Sequence, residues 1–215
     1  MKVLLIGATG ATGSFVLKYL LANEQITEVV IFVRRSTGIV NDKLTEIITL
    51  FDELATHQSV MNADVAISCL GTTLKQAGSK KAQWLVDYEY QLKFAELCKL
   101  SNVSHFILLS SLGASAKSKF FYSQMKGALE EAMKALQFQR LDIVQPSLLI
   151  RPNSDRLGER WSEKLLKFLN GVGLLKTYQP IKVQDLGFLM HQMVFNKTAG
   201  VYVWTLKDLL KKLQK

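Results

Sequence analysis

The feature that constrains this chain most is a run of three glycines at a spacing of three, Gly7-Ala8-Thr9-Gly10-Ala11-Thr12-Gly13. It stands directly after the apolar stretch Lys2 to Ile6 and directly before Ser14 to Ala22, whose apolar residues recur at helical spacing. Glycine lets the backbone take positive φ and pass close to a pyrophosphate. A helix opening at that point aims free N–H groups and its positive dipole end at the anion. A plain tight turn would satisfy the glycines as well, but the position between a first strand and a helix points to dinucleotide binding through Gly7, Thr9, Gly10, Ala11, Thr12 and Gly13.

The rest of the chain repeats the same alternation. Val29 to Val33, Asp64 to Leu70, His105 to Leu109, Leu141 to Val144 and Val201 to Trp204 read as buried strands, with a weak further strand at Ile47 to Leu50. Ser14 to Ala22, Gln83 to Leu100, Tyr122 to Leu136, Ser162 to Leu169 and Asp185 to Val194 carry the three- and four-residue period of helices. Strands that are apolar throughout belong to a parallel sheet covered on both faces, so the fold class is α/β, doubly wound. No linker or repeat divides the 215 residues, and one domain is expected. The irregular stretch 151–181, broken by Pro152, Gly158, Gly171, Gly173 and Pro180, reads as a small substrate flap.

Composition narrows the class. With 48% hydrophobic and 21% charged residues the chain can bury a core. No apolar run approaches the roughly 18 residues that cross a bilayer, and the apolar start meets glycine too early for a secretory leader, so the cytosol is expected. Cys69 and Cys98 have neither metal-knuckle spacing nor a disulfide pattern and read as reduced core thiols. The net charge of +9 is scattered rather than gathered into a nucleic-acid face. Its densest part, Lys207 to Lys215 around Leu206, Leu209, Leu210 and Leu213, reads as an amphipathic terminal helix, packed on the domain or docking a partner.

The choice of dinucleotide is made at the end of the second strand. A carboxylate there would hydrogen-bond the ribose of NAD, whereas arginine accommodates the extra phosphate of NADP. Arg34-Arg35-Ser36 occupies that point, and a guanidinium holds phosphate through two parallel hydrogen bonds, so NADP(H) is the expected cofactor. Asp52, after the weak third strand, is placed to accept from an adenine amino group. Leu70, Gly71, Thr72 and Thr73 end the fourth strand, where glycine leaves room for the cofactor.

Tyr122 and Lys126 stand one helical turn apart on one face. A phenol with an ordinary pKa near 10 becomes a working proton donor and acceptor when a cation stabilises its phenolate. Ser110 and Ser111 end the fifth strand, where a hydroxyl can hydrogen-bond a substrate carbonyl. Tyr178 and Lys182 have the same spacing, but Pro180 between them breaks the helix. The residues leave two readings of Tyr122 and Lys126 open: an active site, or mere contacts to the nicotinamide ribose.

Together these residues resemble the short-chain dehydrogenase/reductase superfamily, in its atypical, extended-like branch of Tat-interacting protein oxidoreductases. The resemblance rests on the glycine turn, on Cys69-Leu70-Gly71-Thr72-Thr73 with Ala77-Gly78, on His105 to Ala114, on Tyr122 with Lys126-Gly127, and on Pro146-Ser147-Leu148-Leu149. It implies a sheet of about seven strands, NADPH across its carboxyl edge, and Ser111, Tyr122 and Lys126 as the catalytic set, with Ser110 second to Ser111. It places Pro146, Leu148 and Leu149 at the nicotinamide end. The substrate is then a small carbonyl or alcohol. Two departures stand out: Asp87 replaces a catalytic asparagine of many relatives, and the short substrate region speaks against a nucleotide sugar. Some family members are regarded as regulatory, so a protein that binds NADP(H) without turnover and docks a protein partner is the rival expectation. Superfamily members often pair through two helices, which makes a homodimer a further expectation.

Overall fold

The computed structural model describes residues 1–150 and 179–214. Seven strands form one parallel sheet in the order β3-β2-β1-β4-β5-β6-β9, from β1 (Lys2–Ile6), β2 (Glu28–Val33), β3 (Leu44–Ile48), β4 (Val65–Ser68), β5 (His105–Leu109), β6 (Arg140–Gln145) and β9 (Gly200–Thr205). This is the doubly wound fold expected from the sequence. The chain reverses its direction of travel across the sheet between β1 and β4, and such a switch point opens a crevice at the carboxyl ends of the two strands.

Successive side chains of a strand point to opposite faces, so each apolar strand feeds two layers. Val3, Leu5, Val29, Ile31, Val65 and Ile67 join the layer under α1 (Gly13–Ala22) and α6 (Val183–Met193). Leu4, Val30, Phe32, Ala66 and Phe106 join the other, under α4 (Tyr90–Leu100) and α5 (Phe121–Ala135). Burial of each of these side chains larger than alanine contributes about 1.5–3 kcal/mol. That is why a central strand such as β1 has no polar residue between Val3 and Ile6.

Several boundaries differ from the sequence expectation. β3 begins three residues earlier than Ile47 and ends at Ile48, because the carboxylate of Glu46 anchors the chain there and Thr49 N–H to Val33 O is the last bond to β2. A run of 3₁₀ turns, Phe51–Val60, follows; its sequence has no helical apolar period. The helix expected over Gln83 to Leu100 is three pieces, α3 (Lys80–Trp84), a π-turn (Leu85–Glu89) and α4. A short α2 (Leu74–Ala77) precedes it, with the Thr73 side chain accepting from Gln76 N–H as its cap. The terminal helix α7 (Leu206–Leu213) is closed by a reciprocal cap between Thr205 and Asp208 and buries Leu206 and Leu209.

Of the expected flap, 151–178 with its helix at Ser162 to Leu169 and with Tyr178 lies outside the described residues. Its two flanks, β7 (Leu149–Ile150) and β8 (Ile181–Lys182), pair in parallel.

At the far end of the sheet Asp142 is fully buried and accepts from His105 Nε2 at 2.6 Å, Arg140 Nε and an Arg140 terminal nitrogen at 2.6 and 2.8 Å, and Trp204 Nε1 at 2.7 Å. These bonds tie β5, β6 and β9 together. Burial works to raise the Asp142 pKa, and the donors outweigh it, holding the carboxyl below the usual range.

His191 on α6 is buried among Tyr19, Phe188 and Phe195 and faces Asn23 across 3.0 Å, and burial holds its imidazole below the ordinary value. The unfolded chain therefore takes up this proton first. The contribution of His191 to stability is complete above the ordinary imidazole pKa of about 6.5, and is lost as the pH falls from there through the lower folded value. Urea unfolding at about pH 8 and about pH 5.5 is expected to show a larger acid loss for the parent than for His191→Gln; equal losses would assign the slope to other groups.

Candidate functional site

The glycine turn lies at the switch point. Gly7 has φ +82°, and a Cβ there would meet the Cys69 carbonyl carbon and the Leu70 nitrogen at 2.5 Å. A Cβ on Gly13 would lie 2.1 Å from Gly7 O. Glycine is thus required for β1, the start of α1 and the end of β4 to come this close. The turn closes through Gly10 N–H to Gly7 O and Ser14 N–H to Gly10 O, both 3.0 Å. Thr12 caps α1 without using its side chain, and its buried Oγ1 has no hydrogen-bond partner among the described residues. A buried hydroxyl without a partner is costly, and this one stands at a helix N-terminus suited to an anion.

A cavity of about 610 Å³ opens from this turn and is lined by Gly7, Thr9, Gly10, Arg34, Asp52, Leu70, Gly71 and Thr72, among others. A second, of about 410 Å³, shares Gly7, Thr9, Arg34 and Leu70 with it and adds Arg35 and Ser36. The turn, the β2 end and the β4 end are therefore one continuous hollow. Ala11, Thr12, Gly13 and Thr73 lie beside it without lining it, and the Thr73 hydroxyl is engaged in capping α2.

Arg34 is exposed at the end of β2 and stands 5.9 Å over the Phe51 ring, with Arg35 beside it. The nearest carboxylate on the neighbouring strand, Glu46, accepts from Ser36 Oγ at 2.7 Å and from Thr37 N–H at 3.1 Å, as well as from the Thr37 hydroxyl. The Thr37 hydroxyl chiefly holds Glu46 below the usual carboxylate range. Sequence reasoning missed this contact; it fixes the loop after Arg34–Arg35 and occupies the carboxylate. Asp52 faces Tyr90, whose phenol is pushed up to about 12 by burial and then by the Asp52 hydrogen bond and charge.

The residues expected to react stand where β5 ends and on α5, and none of Ser111, Tyr122 and Lys126 lines either cavity. Ser110 is buried and donates to Glu130 Oε1, which with Oε2 also accepts from Gln145 Nε2 at 2.9 and 3.0 Å. Ser111 Oγ is buried and has no partner among the described residues. Of the two serines, Ser111 is the one whose hydroxyl is available. Lys126, 3% exposed, donates to Leu109 O at 3.5 Å and stands 3.6 Å from Asp87 Oδ1. Tyr122, one turn earlier on α5, is 43% exposed and so accessible to a substrate. Gly127 lets the loop after Ser111 run against α5, since a Cβ there would fall 2.1 Å from the Ser115 carbonyl carbon.

Asp87 was visible in the sequence as a departure from an asparagine, but not as the partner of Lys126. Pro146 accepts at its carbonyl from Leu112 N–H at 2.8 Å, which joins its loop to the one carrying Ser111. Leu148 is exposed and Leu149 opens β7. Cys69 lines the cavity, but burial pushes its thiol up to about 12 despite nearby Lys126, so it is no thiolate nucleophile.

The hollow fits a dinucleotide: a turn whose Gly7 and Gly13 leave no room for a Cβ, a buried orphan hydroxyl beside it at the N-terminus of α1, and two guanidinium groups at the neighbouring strand end. Among the described residues no cluster of three or more His, Cys, Asp or Glu is placed to hold a metal, and no helix is long and apolar enough to cross a membrane.

Comparison with known proteins agrees. A family model described as NAD(P)H-binding matches residues 7–149. Protein fmp52, mitochondrial, of Emericella nidulans is 34% identical over 188 residues, 84% of this chain and 79% of that protein. Protein HTATIP2 of Rattus norvegicus is 33% identical over 164 residues, 74% of this chain and 67% of that protein. Among solved structures, the Thermus thermophilus UDP-glucose 4-epimerase in complex with NAD aligns with a TM-score of 0.72 at 16% identity, covering 100% of this chain and 83% of that one. A short-chain dehydrogenase/reductase superfamily protein from Agrobacterium tumefaciens with bound NAD aligns at 0.70 and 13%, covering 99% and 82%. At such identities these two share the fold alone. With the glycine turn at the switch point and two thirds of its length matched, the chain belongs to the NAD(P)H-binding family of atypical short-chain dehydrogenases/reductases.

Proposed function

We propose that the protein is an NADP(H)-dependent oxidoreductase acting on a small carbonyl or alcohol. The observation that carries this reading is the buried, unpartnered Ser111 hydroxyl at the end of β5, beside the strand end that Lys126 touches. Gly7 to Gly13 hold the pyrophosphate, Arg34 and Arg35 the additional phosphate, and the β4 end from Leu70 to Thr72 leaves room for the cofactor. When bound, NADP(H) supplies the site with a hydride donor or acceptor. Ser111 donates a hydrogen bond to the substrate oxygen and orients it. Tyr122 gives a proton to that oxygen in reduction and takes it in oxidation. Lys126 favours the phenolate form of Tyr122 by its charge.

A screen of small aldehydes and ketones for NADPH consumption tests the reading. Positioned acid–base catalysis contributes about 10²- to 10⁴-fold, so Tyr122→Phe is expected to lower kcat by that order while NADPH affinity stays within about threefold. Equal rates in variant and parent would remove Tyr122 from the chemistry.

One observation favours a second reading, a cofactor-sensing protein that docks a partner. Phe120, at the start of α5, is 79% exposed and flanked by the exposed Lys117 and Lys119, with Lys80 5.4 Å over the Phe121 ring. In that case Tyr122→Phe leaves partner binding intact, and Gly10→Asp abolishes its response to NADPH. The fungal relatives are named mitochondrial, so fractionation of cells expressing the chain decides between mitochondrion and cytosol.

A further inference from the structure

Behind the cofactor hollow lies a carboxylate to which the reaction as described gives no task. Asp87 is 1% exposed, in the π-turn between α3 and α4. A π-turn inserts one residue into the helical repeat and so redirects a side chain, a device frequent at functional sites. Here the side chain is directed at two parts of the site. Oδ1 stands 3.6 Å from Lys126 Nζ, and Oδ2 accepts from Thr72 N–H at 2.8 Å. The turn itself is fixed by Gln91, whose Nε2 donates to Asp87 O at 2.8 Å and whose Oε1 accepts from Ser68 Oγ at 2.8 Å. Asp87 thus spans the β4 loop that lines the cavity and the helix that carries Tyr122 and Lys126.

We infer that Asp87 is a positioning residue that sets the charge of the reacting centre, by cancelling much of the Lys126 charge felt at Tyr122 and by holding Lys126 in register with the Thr72 loop. For its consequence on turnover this rests on the oxidoreductase reading; its electrostatic content does not. A free ammonium one helical turn from a phenol stabilises the phenolate, whereas an ammonium paired with a buried carboxylate presents a dipole whose field falls off faster. Burial raises the Asp87 pKa, opposed by the Lys126 charge and the Thr72 N–H, and in the alkaline range where phenols titrate the group carries its charge. Other ionisable side chains around this centre are the Cys69 thiol, uncharged at neutral pH because of its burial, Tyr88 and Glu89 on the π-turn itself, Glu130 one helical turn beyond Lys126 and bonded to Ser110 and Gln145, and the lysines near the start of α5, Lys80 over the Phe121 ring and the exposed Lys119. Among the described residues no cation other than Lys126 comes within ion-pair distance of Asp87.

Across roughly 10 Å, the reach of one helical turn and an ion pair, removing a unit charge shifts a titration by about one pH unit when the effective dielectric is about 20. The test is a ¹³C NMR titration of the full chain, without cofactor and labelled at tyrosine Cζ, the Tyr122 signal being assigned by its loss in Tyr122→Phe. The midpoint of Tyr122 ionisation is expected to fall by about one pH unit in Asp87→Asn and to stay in place in Asp87→Glu, which keeps the charge. A role confined to packing would move melting temperature but not this midpoint. Asp87→Ser removes the charge with a smaller side chain and serves if the asparagine variant fails to fold. A folded, neutral variant whose Tyr122 midpoint is unchanged or higher overturns the inference. Because no turnover is measured, a failed substrate screen removes the oxidoreductase reading without touching this result. Where turnover is found, the ascending limb of the pH profile for alcohol oxidation shifts down by the same amount.

Discussion

Gly13→Ala is expected to weaken NADPH binding on the order of 100-fold and to destabilise the fold by about 1–3 kcal/mol, the cost of forcing a methyl into a filled site. The added carbon would sit 2.1 Å from Gly7 O and 2.9 Å from Gly7 C. Both are backbone atoms of a turn held by its own hydrogen bonds, so no side chain can swing away. The first turn of α1 must then lift from β1, carrying with it the N–H groups assigned to the pyrophosphate in this reading. Losing one or two charge-assisted hydrogen bonds, roughly 1.5–3 kcal/mol each, gives the binding loss. Gly10→Ala is the graded comparison, since its Cβ would meet Gly7 O at 3.2 Å and needs a shift of only tenths of an ångström. Fluorescence titration with NADPH and denaturant unfolding check both variants. A Gly13→Ala protein that binds like the parent would mean that the turn does not cradle the cofactor.

At the other end of the sheet, Asp142→Ala is expected to cost about 3–5 kcal/mol, because it leaves the buried Arg140 guanidinium without its counter-charge. Four donor contacts converge on this carboxylate of β6, and His105 and Trp204 tie β5 and β9 to it. For a chain of this size the loss corresponds to a fall in Tm of about 6–20 °C. Since the Asp142 pKa is held below the usual range, its contribution is present above the unfolded carboxylate pKa of about 3.9 and is lost as the pH falls through the lower folded value. Calorimetry checks the size, and a change in Tm below about 2 °C would show that the strands do not depend on this clamp. NADPH affinity is expected to change little, the cluster lying at the amino ends of the strands.

The two halves of the molecule differ in how far their sequence could be read. Apolar strands such as Val3 to Ile6 and Val29 to Val33 announce themselves because burial on both faces leaves no choice of residue. The glycine turn does so because no other residue fits Gly7 and Gly13. What escaped the sequence depends on contacts between residues far apart in the chain. Asp87 and Lys126 are thirty-nine positions apart, and only the π-turn brings them together; apolar spacing alone reads straight through Leu85 to Glu89 as ordinary helix. Spacing alone does not separate Ser110 from Ser111, which the resemblance ranked second and first, and it is Glu130, twenty residues beyond Ser110, that engages one hydroxyl and leaves the other without a partner among the described residues. Glu46 stands just before the strand expected at Ile47 and carries no signal of its own, yet it fixes the loop after Arg34 and Arg35. The 3₁₀ run from Phe51 had no periodicity to betray it, and its first residues Phe51 and Asp52 nonetheless line the hollow.

Most direct of all is a parallel titration of the parent, Arg34→Ala and Arg34→Ala/Arg35→Ala with NADPH and NADH. A guanidinium bound to the additional phosphate contributes roughly 1.5–3 kcal/mol, so the parent is expected to bind NADPH about 10- to 100-fold more tightly than NADH, Arg34→Ala to lose part of that preference, and Arg34→Ala/Arg35→Ala to bind the two alike with NADH affinity unchanged. Equal affinities in the parent, or a preference for NADPH that survives Arg34→Ala/Arg35→Ala, would contradict the reading of this strand end as the phosphate site.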